Sequence, residues 1–151
     1  MQIWNEIKTD SDVEGFIDKT RALFSYHISS MNYKMYDYEN DEVSSLSVIL
    51  ENNHNKIEML FSHILNFRFG EIRQNTINDT IDSCYLKIHT DMQGKSRQYK
   101  IIVWSDRNIT PNYHSDAIEL GCMNCSAIFA YEMKWRYLDN SEEAEKCLQK
   151  E

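Results

Sequence analysis

From Met123 to Tyr137 every odd position is apolar or aromatic: Met123, Cys125, Ala127, Phe129, Tyr131, Met133, Trp135 and Tyr137. Eight such positions in succession have the two-residue period of a strand, whose side chains alternate between faces. Ser126, Glu132, Lys134 and Arg136 fill the opposite parity, and Ile128 and Ala130 mark that outer face as partly covered. Helical spacing from Ala127 would instead gather Ala130, Tyr131, Lys134 and Leu138, a poorer stripe. The run predicts a central strand of the core sheet with all its odd positions on one face. At ~1.5–3 kcal/mol for each large side chain fully buried, such a strand contributes on the order of 10 kcal/mol gross, before conformational entropy is subtracted.

The same period recurs upstream. Met31, Tyr33 and Met35 alternate with Asn32, Lys34 and Tyr36, and Leu46, Val48 and Leu50 alternate with Ser45, Ser47 and Ile49. Ile57, Met59 and Phe61 follow, with Leu65, Phe67 and Phe69 on the same parity, then Cys84, Leu86 and Ile88, then Tyr99, Ile101 and Val103. His63 falls on the apolar parity of a run long enough to need a bulge near Ser62 and His63. Asn40-Asp41, Asn52-Asn53-His54-Asn55 and Asp91-Met92-Gln93-Gly94 supply turn chemistry between runs. Links this short make consecutive strands mostly antiparallel.

One segment has helical spacing instead. Val13, Phe16, Ile17, Thr20, Leu23 and Phe24 recur at three- and four-residue steps. Ser11-Asp12-Val13-Glu14 has the capping-box spacing, in which hydroxyl and carboxylate each satisfy a free backbone N–H. These signals predict a helix over about residues 11–24, strands over about 27–138, and a charged tail over 139–151. The expected fold is one α+β domain over residues 1–151: a mostly antiparallel β-sheet, curled as a half-barrel or folded as a sandwich, with one N-terminal helix. At 151 residues the chain is long enough to build its core without disulfide or metal.

Charge limits the partners. Twenty-four acids against sixteen Lys and Arg leave −8 at neutral pH, the wrong sign for tracking a phosphate backbone. No apolar run approaches the ~20 residues of a membrane span, and Met1-Gln2-Ile3-Trp4-Asn5-Glu6 lacks a signal-peptide pattern. The expectation is a cytoplasmic protein that binds neither nucleic acid nor membrane and whose partner, if any, is basic.

No motif for catalysis is strong. Cys122-Met123-Asn124-Cys125 is half of a zinc site or a redox dithiol, but residues three apart on a strand point to opposite faces. Buried structural cysteines are the plainer reading, so neither metal nor other cofactor is expected. His89-Thr90-Asp91 ahead of that pair resembles the order of a zinc deaminase, with Asp in place of Glu and Gly121 in place of Pro. His63 is a structurally placed histidine before it is a ligand. Asn112-Tyr113-His114-Ser115-Asp116 sets His, Ser and Asp side by side, which is not triad geometry. A small hydrolase or other enzyme with a dispersed His, Asp and Arg site is the alternative to a binding module, and no catalytic residue is assigned.

The partner-binding candidates are Tyr36, Asp37, Tyr38, Glu39, Asp41 and Glu42, four carboxylates and two tyrosines within seven residues. On an exposed turn, tyrosines supply contact area and carboxylates steer a basic partner. The plain alternative is a solvated hairpin tip.

Trp4-Asn5-Glu6-Ile7, the aromatic Phe24-Ser25-Tyr26-His27-Ile28 ahead of the first strand, and the closing Met133-Lys134-Trp135-Arg136 resemble a family of small bacterial proteins regarded as immunity proteins for polymorphic, contact-delivered toxins. Where relatives carry Phe-His-Asp, Tyr26-His27-Ile28 keeps the His and lacks the Asp. The resemblance implies a non-enzymatic inhibitor that binds one cognate toxin domain.

Overall fold

The computed structural model describes residues 3–69, 80–90, 98–105, 112–114, 117–119 and 125–138. In chain order the elements are β1 (Asn5–Glu6), α1 (Asp10–Thr20), β2 (His27–Lys34), β3 (Ser45–Glu51), β4 (Lys56–Arg68), β5 (Ser83–Thr90), β6 (Gln98–Ser105), β7 (Asn112–His114), β8 (Ala117–Glu119) and β9 (Cys125–Tyr137). This is the α+β architecture that the periodicities predict. Six strands lie in the order β2-β3-β4-β9-β6-β5, every pairing antiparallel, with β1 added to β9 and β7-β8 forming a separate ribbon. β9 lies at the centre, as its sequence requires.

The sheet curls without closing into a barrel. Its end strands are β2 and β5, yet Ser25 N–H donates to Ile81 O at 3.0 Å and Ile81 N–H donates to Tyr26 O at 2.7 Å. The approach to β2 is thus clasped to the approach to β5 at one end of the sheet. Strand twist accumulated over six strands carries the edges toward each other, and a half-barrel results rather than a sandwich.

The helix is shorter than its apolar stripe and starts earlier than predicted. Thr9, not Ser11, is the N-cap: its Oγ1 accepts from Asp12 N–H at 3.2 Å, and Asp12 Oδ2 accepts from Thr9 N–H at 2.9 Å. Asp12 Oδ2 also accepts from Lys8 N–H at 2.9 Å, and these backbone donors hold its carboxyl below the ordinary aspartate range. At the other end Arg21, Ala22 and Leu23 have φ of 53°, 52° and 56°, so the chain leaves α1 through a left-handed turn after Thr20. Leu23 reaches the core from that turn, which is why it continues the stripe without being helical. Phe24 points away and is exposed. Inside, Phe16 meets Trp135 edge-on, centroids 5.4 Å apart.

β9 does not keep one face. Met133 and Trp135 are buried in the main core, but so are Ile128 and Ala130, while Ala127 and Phe129 join Ile101, Val103 and Tyr99 on the opposite face. The partner strand turns over with it: Phe61 faces Met133 and Ile64 faces Ala130, three residues on in each strand. An odd step moves a strand to its other face. In β4 the crease centres on His63, whose φ is 54°, and Leu65 is an extra residue because Ile64 faces Ala130 and Asn66 faces Phe129. Ser44 satisfies the kinked backbone: its O accepts from His63 N–H and its Oγ from Ile64 N–H, each at 3.0 Å. At the crease in β9, Lys100 Nζ donates to the Tyr131 carbonyl at 2.8 Å.

Candidate functional site

Tyr36–Glu42 forms the tip of the β2–β3 hairpin. Asp37 and Glu42 face each other in an isolated bridge, with Asp37 N–H donating to Glu42 O at 2.9 Å and Glu42 N–H donating to Asp37 O at 3.0 Å. The Asp37 carboxylate builds the turn between them. Oδ1 accepts from the backbone N–H groups of Glu39 at 3.0 Å and Asn40 at 3.3 Å, and Oδ2 accepts from Asn40 Nδ2 at 2.8 Å. This is the side-chain mimicry of a backbone turn that Asp favours. Asn40, through its side-chain amide and its backbone N–H, holds the Asp37 carboxyl below its ordinary value.

Asp41 takes φ of 52°, a conformation Asp tolerates better than most residues, and its Oδ1 accepts from Tyr36 Oη at 2.7 Å. That hydrogen bond to Asp41 raises the Tyr36 phenol above its ordinary range. The Tyr36 and Tyr38 rings lie 4.5 Å apart, tilted by 60°. Three of the six candidates therefore shape the tip. The other three face outward: Tyr38 is 87% exposed, and the carboxylates of Glu39 and Glu42 have no hydrogen bond or ion pair among the described residues.

An exposed apolar strip extends the tip along the sheet edge. Met35, Val43, Tyr33 and Met31 are all exposed, and Tyr33 contacts Phe67 with centroids 4.9 Å apart. From there an aromatic row crosses the open end of the curl through Phe69 to Trp104.

Sequence reading missed a second cluster. β1 pairs Asn5 with Trp135 and Glu6 with Lys134, so the two segments that open and close the family resemblance lie side by side. The Arg136 guanidinium lies 4.1 Å from the centre of the Trp4 ring and binds Glu58 Oε1 through Nη2 at 2.8 Å and Nε at 2.9 Å. Glu58 Oε2 in turn accepts from Ser47 Oγ at 2.7 Å. This strip crosses β3, β4 and β9 on the face away from the core and ends on Trp4, just ahead of β1. A two-residue strand such as β1 has no period to detect, so only the tryptophan hinted at it.

The histidines stay apart. His27 Nε2 lies 3.3 Å from a Glu51 carboxylate oxygen, and His63 Nε2 lies 4.0 Å from one of Glu132. His89 packs on Tyr99, and its buried Nε2 has no hydrogen-bond partner among the described residues. Cys84 is buried, which pushes its thiol pKa far up and away from thiolate chemistry. Cys122, Asp91, Ser115 and Asp116 lie outside the described residues, as does the 139–151 tail, and of Cys125 and His114 only the backbone is described. Among the described residues no three His, Cys, Asp or Glu side chains are placed to hold a metal ion, and no helix is long and apolar enough to cross a membrane.

No protein-family model, curated protein or solved structure matches the chain.

Proposed function

We propose that the chain is a non-enzymatic protein-binding module, an immunity-type inhibitor that holds a basic toxin domain through the β2–β3 tip. One observation supports this most: Tyr38, Glu39 and Glu42 point outward from a turn that Asp37 and Asp41 already hold in shape. A turn ordered before binding loses little entropy on binding. Its exposed tyrosine supplies contact area, and its carboxylates steer a basic surface in solution. The net charge of −8 acts in the same direction at longer range.

The test begins with the neighbouring reading frame: a large upstream gene ending in a toxin-like domain is the expected outcome, and that domain is then the binding probe. Association rates are measured for the wild type and for Glu39→Gln/Glu42→Gln, which leaves the turn-building aspartates in place. At low salt the variant should associate about tenfold more slowly, and at high salt the two rates should converge. Equal rates at low salt would remove the tip from the interface. A toxin domain that neither binds the chain nor is neutralised by it in growth assays would overturn the inhibitor reading.

A further inference from the structure

β2 ends the sheet, and among the described residues no strand pairs with its outer edge. Proteins usually blunt such an edge with proline, lysine or another charge, a β-bulge or a covering loop; in β2, Lys34 and the register shift between Ile28 and Ser30 do so only toward the two ends. From His27 to Tyr36 there is no proline and no carboxylate, in a chain that carries 24 acids. The core face of the sheet also runs out uncovered here. Met31 and Tyr33 stand opposite Val48 and Leu46, both buried, yet they are 38% and 44% exposed.

The open stretch has two ends. The Tyr26–Ile81 clasp occupies one end and the hairpin tip that begins at Asp37 ends the strand at the other, which leaves His27 to Tyr36 with Met31 and Asn32 flanking its centre. From these limits we infer that β2 pairs antiparallel with β2 of a second copy of this chain, across a two-fold axis through Asn32. Residues opposite each other across an antiparallel pair share a face of the sheet. An axis through Asn32 sets Met31 against Tyr33 of the second copy, core face to core face. It also sets Ser30 against Lys34 and Ile28 against Tyr36. An axis through Met31 would set Tyr33 against Ser29, at the register shift between Ile28 and Ser30, and lose the apolar match.

Charge fits the same arrangement. The two acidic tips fall at opposite ends of the joint, with their Asp37 residues about 33 Å apart at ~3.3 Å per residue, far beyond the ~10 Å screening length. Each tip comes instead beside His27 of the other copy, already paired with Glu51, and near the turn that carries Arg21. The interface is small, so the dimer belongs to the weak, reversible class.

Sedimentation of the full chain from about 1 to about 300 µM, the range weak interfaces populate, should show a reversible rise from one chain mass toward two. Met31→Lys installs the inward charge that edge strands use against pairing, and should keep the chain monomeric while it stays folded by circular dichroism. Facing residues of an antiparallel pair have Cα atoms ~4.5–5.5 Å apart, within disulfide range. Asn32→Cys should therefore give a covalent dimer on mild oxidation, while wild type and the exposed control Ile3→Cys should not. A chain monomeric throughout that range overturns the proposal. So does a dimer that survives Met31→Lys, or crosslinking of Ile3→Cys as readily as Asn32→Cys.

Discussion

Lys100 Nζ donates to the backbone oxygen of Tyr131 at 2.8 Å, a lysine from β6 reaching a carbonyl of β9 where that strand changes face. The residue is only 8% exposed. Burial is the main influence on its amine and lowers the pKa from 10.5, with Lys8 adding in the same sense and Glu132 opposing. Removing the donor takes away a part-buried, charge-assisted hydrogen bond, a loss of about 1.5–3 kcal/mol. Lys100→Ala should lower stability by that amount in urea unfolding. Lys100→Met should lose less, because it fills the space and removes a charge that is costly to bury. The lowered pKa also fixes a sign. Below 10.5 the unfolded chain holds this proton more tightly than the folded one, so wild-type stability should rise relative to Lys100→Met as alkaline pH approaches that value. A gap between the two proteins that does not change with pH would contradict this.

Asp12 and Asp37 lie on the acid side of the same balance. Both carboxyls are held below the ordinary 3.8 by backbone or side-chain donors that favour the charged form. Their contribution is complete above that value and disappears as pH falls through it toward the folded-state pKa. Thermal unfolding followed from pH 6 downward should show Tm falling below about pH 4. Asp12→Asn and Asp37→Asn should each flatten that fall while starting from a lower Tm at pH 6. An acid limb as steep as wild type's in both variants would place the relevant carboxylates elsewhere.

Arg21 supplies a third test. It is exposed, sits at the C-cap of α1 with φ of 53°, and carries the Cβ that makes this region costly for any residue but glycine. Left-handed backbone costs ~1–2 kcal/mol in a residue with a side chain, and glycine's extra freedom in the unfolded chain offsets part of that. Arg21→Gly should therefore raise stability by up to about 1 kcal/mol, read as a higher urea midpoint with unchanged slope. A lower midpoint would mean that the guanidinium makes a contribution larger than the backbone relief.

The limits of the sequence reading follow from these same residues. Period two located β3, β4, β5, β6 and β9 because half-buried strands must alternate. In β4 the length of the run called for a bulge near Ser62 and His63, and the crease centres on His63; in β9 the period failed, because alternation presumes an unbroken pleat and nothing about Tyr131 announces a change of face. Two capping boxes compete in Thr9-Asp10-Ser11-Asp12-Val13-Glu14, and the earlier one wins with the shorter carboxylate of Asp12 in Glu's usual place. Leu23 fits helical spacing and is buried, but the chain brings it there by a left-handed turn, an alternative that spacing cannot distinguish. At the tip the density of acids was plain. Their division of labour was not, since only geometry separates Asp37, which builds the turn, from Glu39, which does not.

The last strand of the sheet in chain order is also the one at its centre. A ribosome releases β2, β3 and β4 first, and these can pair as neighbours while synthesis continues. β5 and β6 can pair with each other, yet among the described residues no strand pairing joins that hairpin to β2, β3 and β4 until β9 arrives, setting Tyr137 opposite Ile57 and Phe129 opposite Ile101. Contacts so distant along the chain make closure slow. For a protein proposed to neutralise a toxin made alongside it, protection would begin only after translation has passed Tyr137, so the timing of synthesis becomes part of the defence.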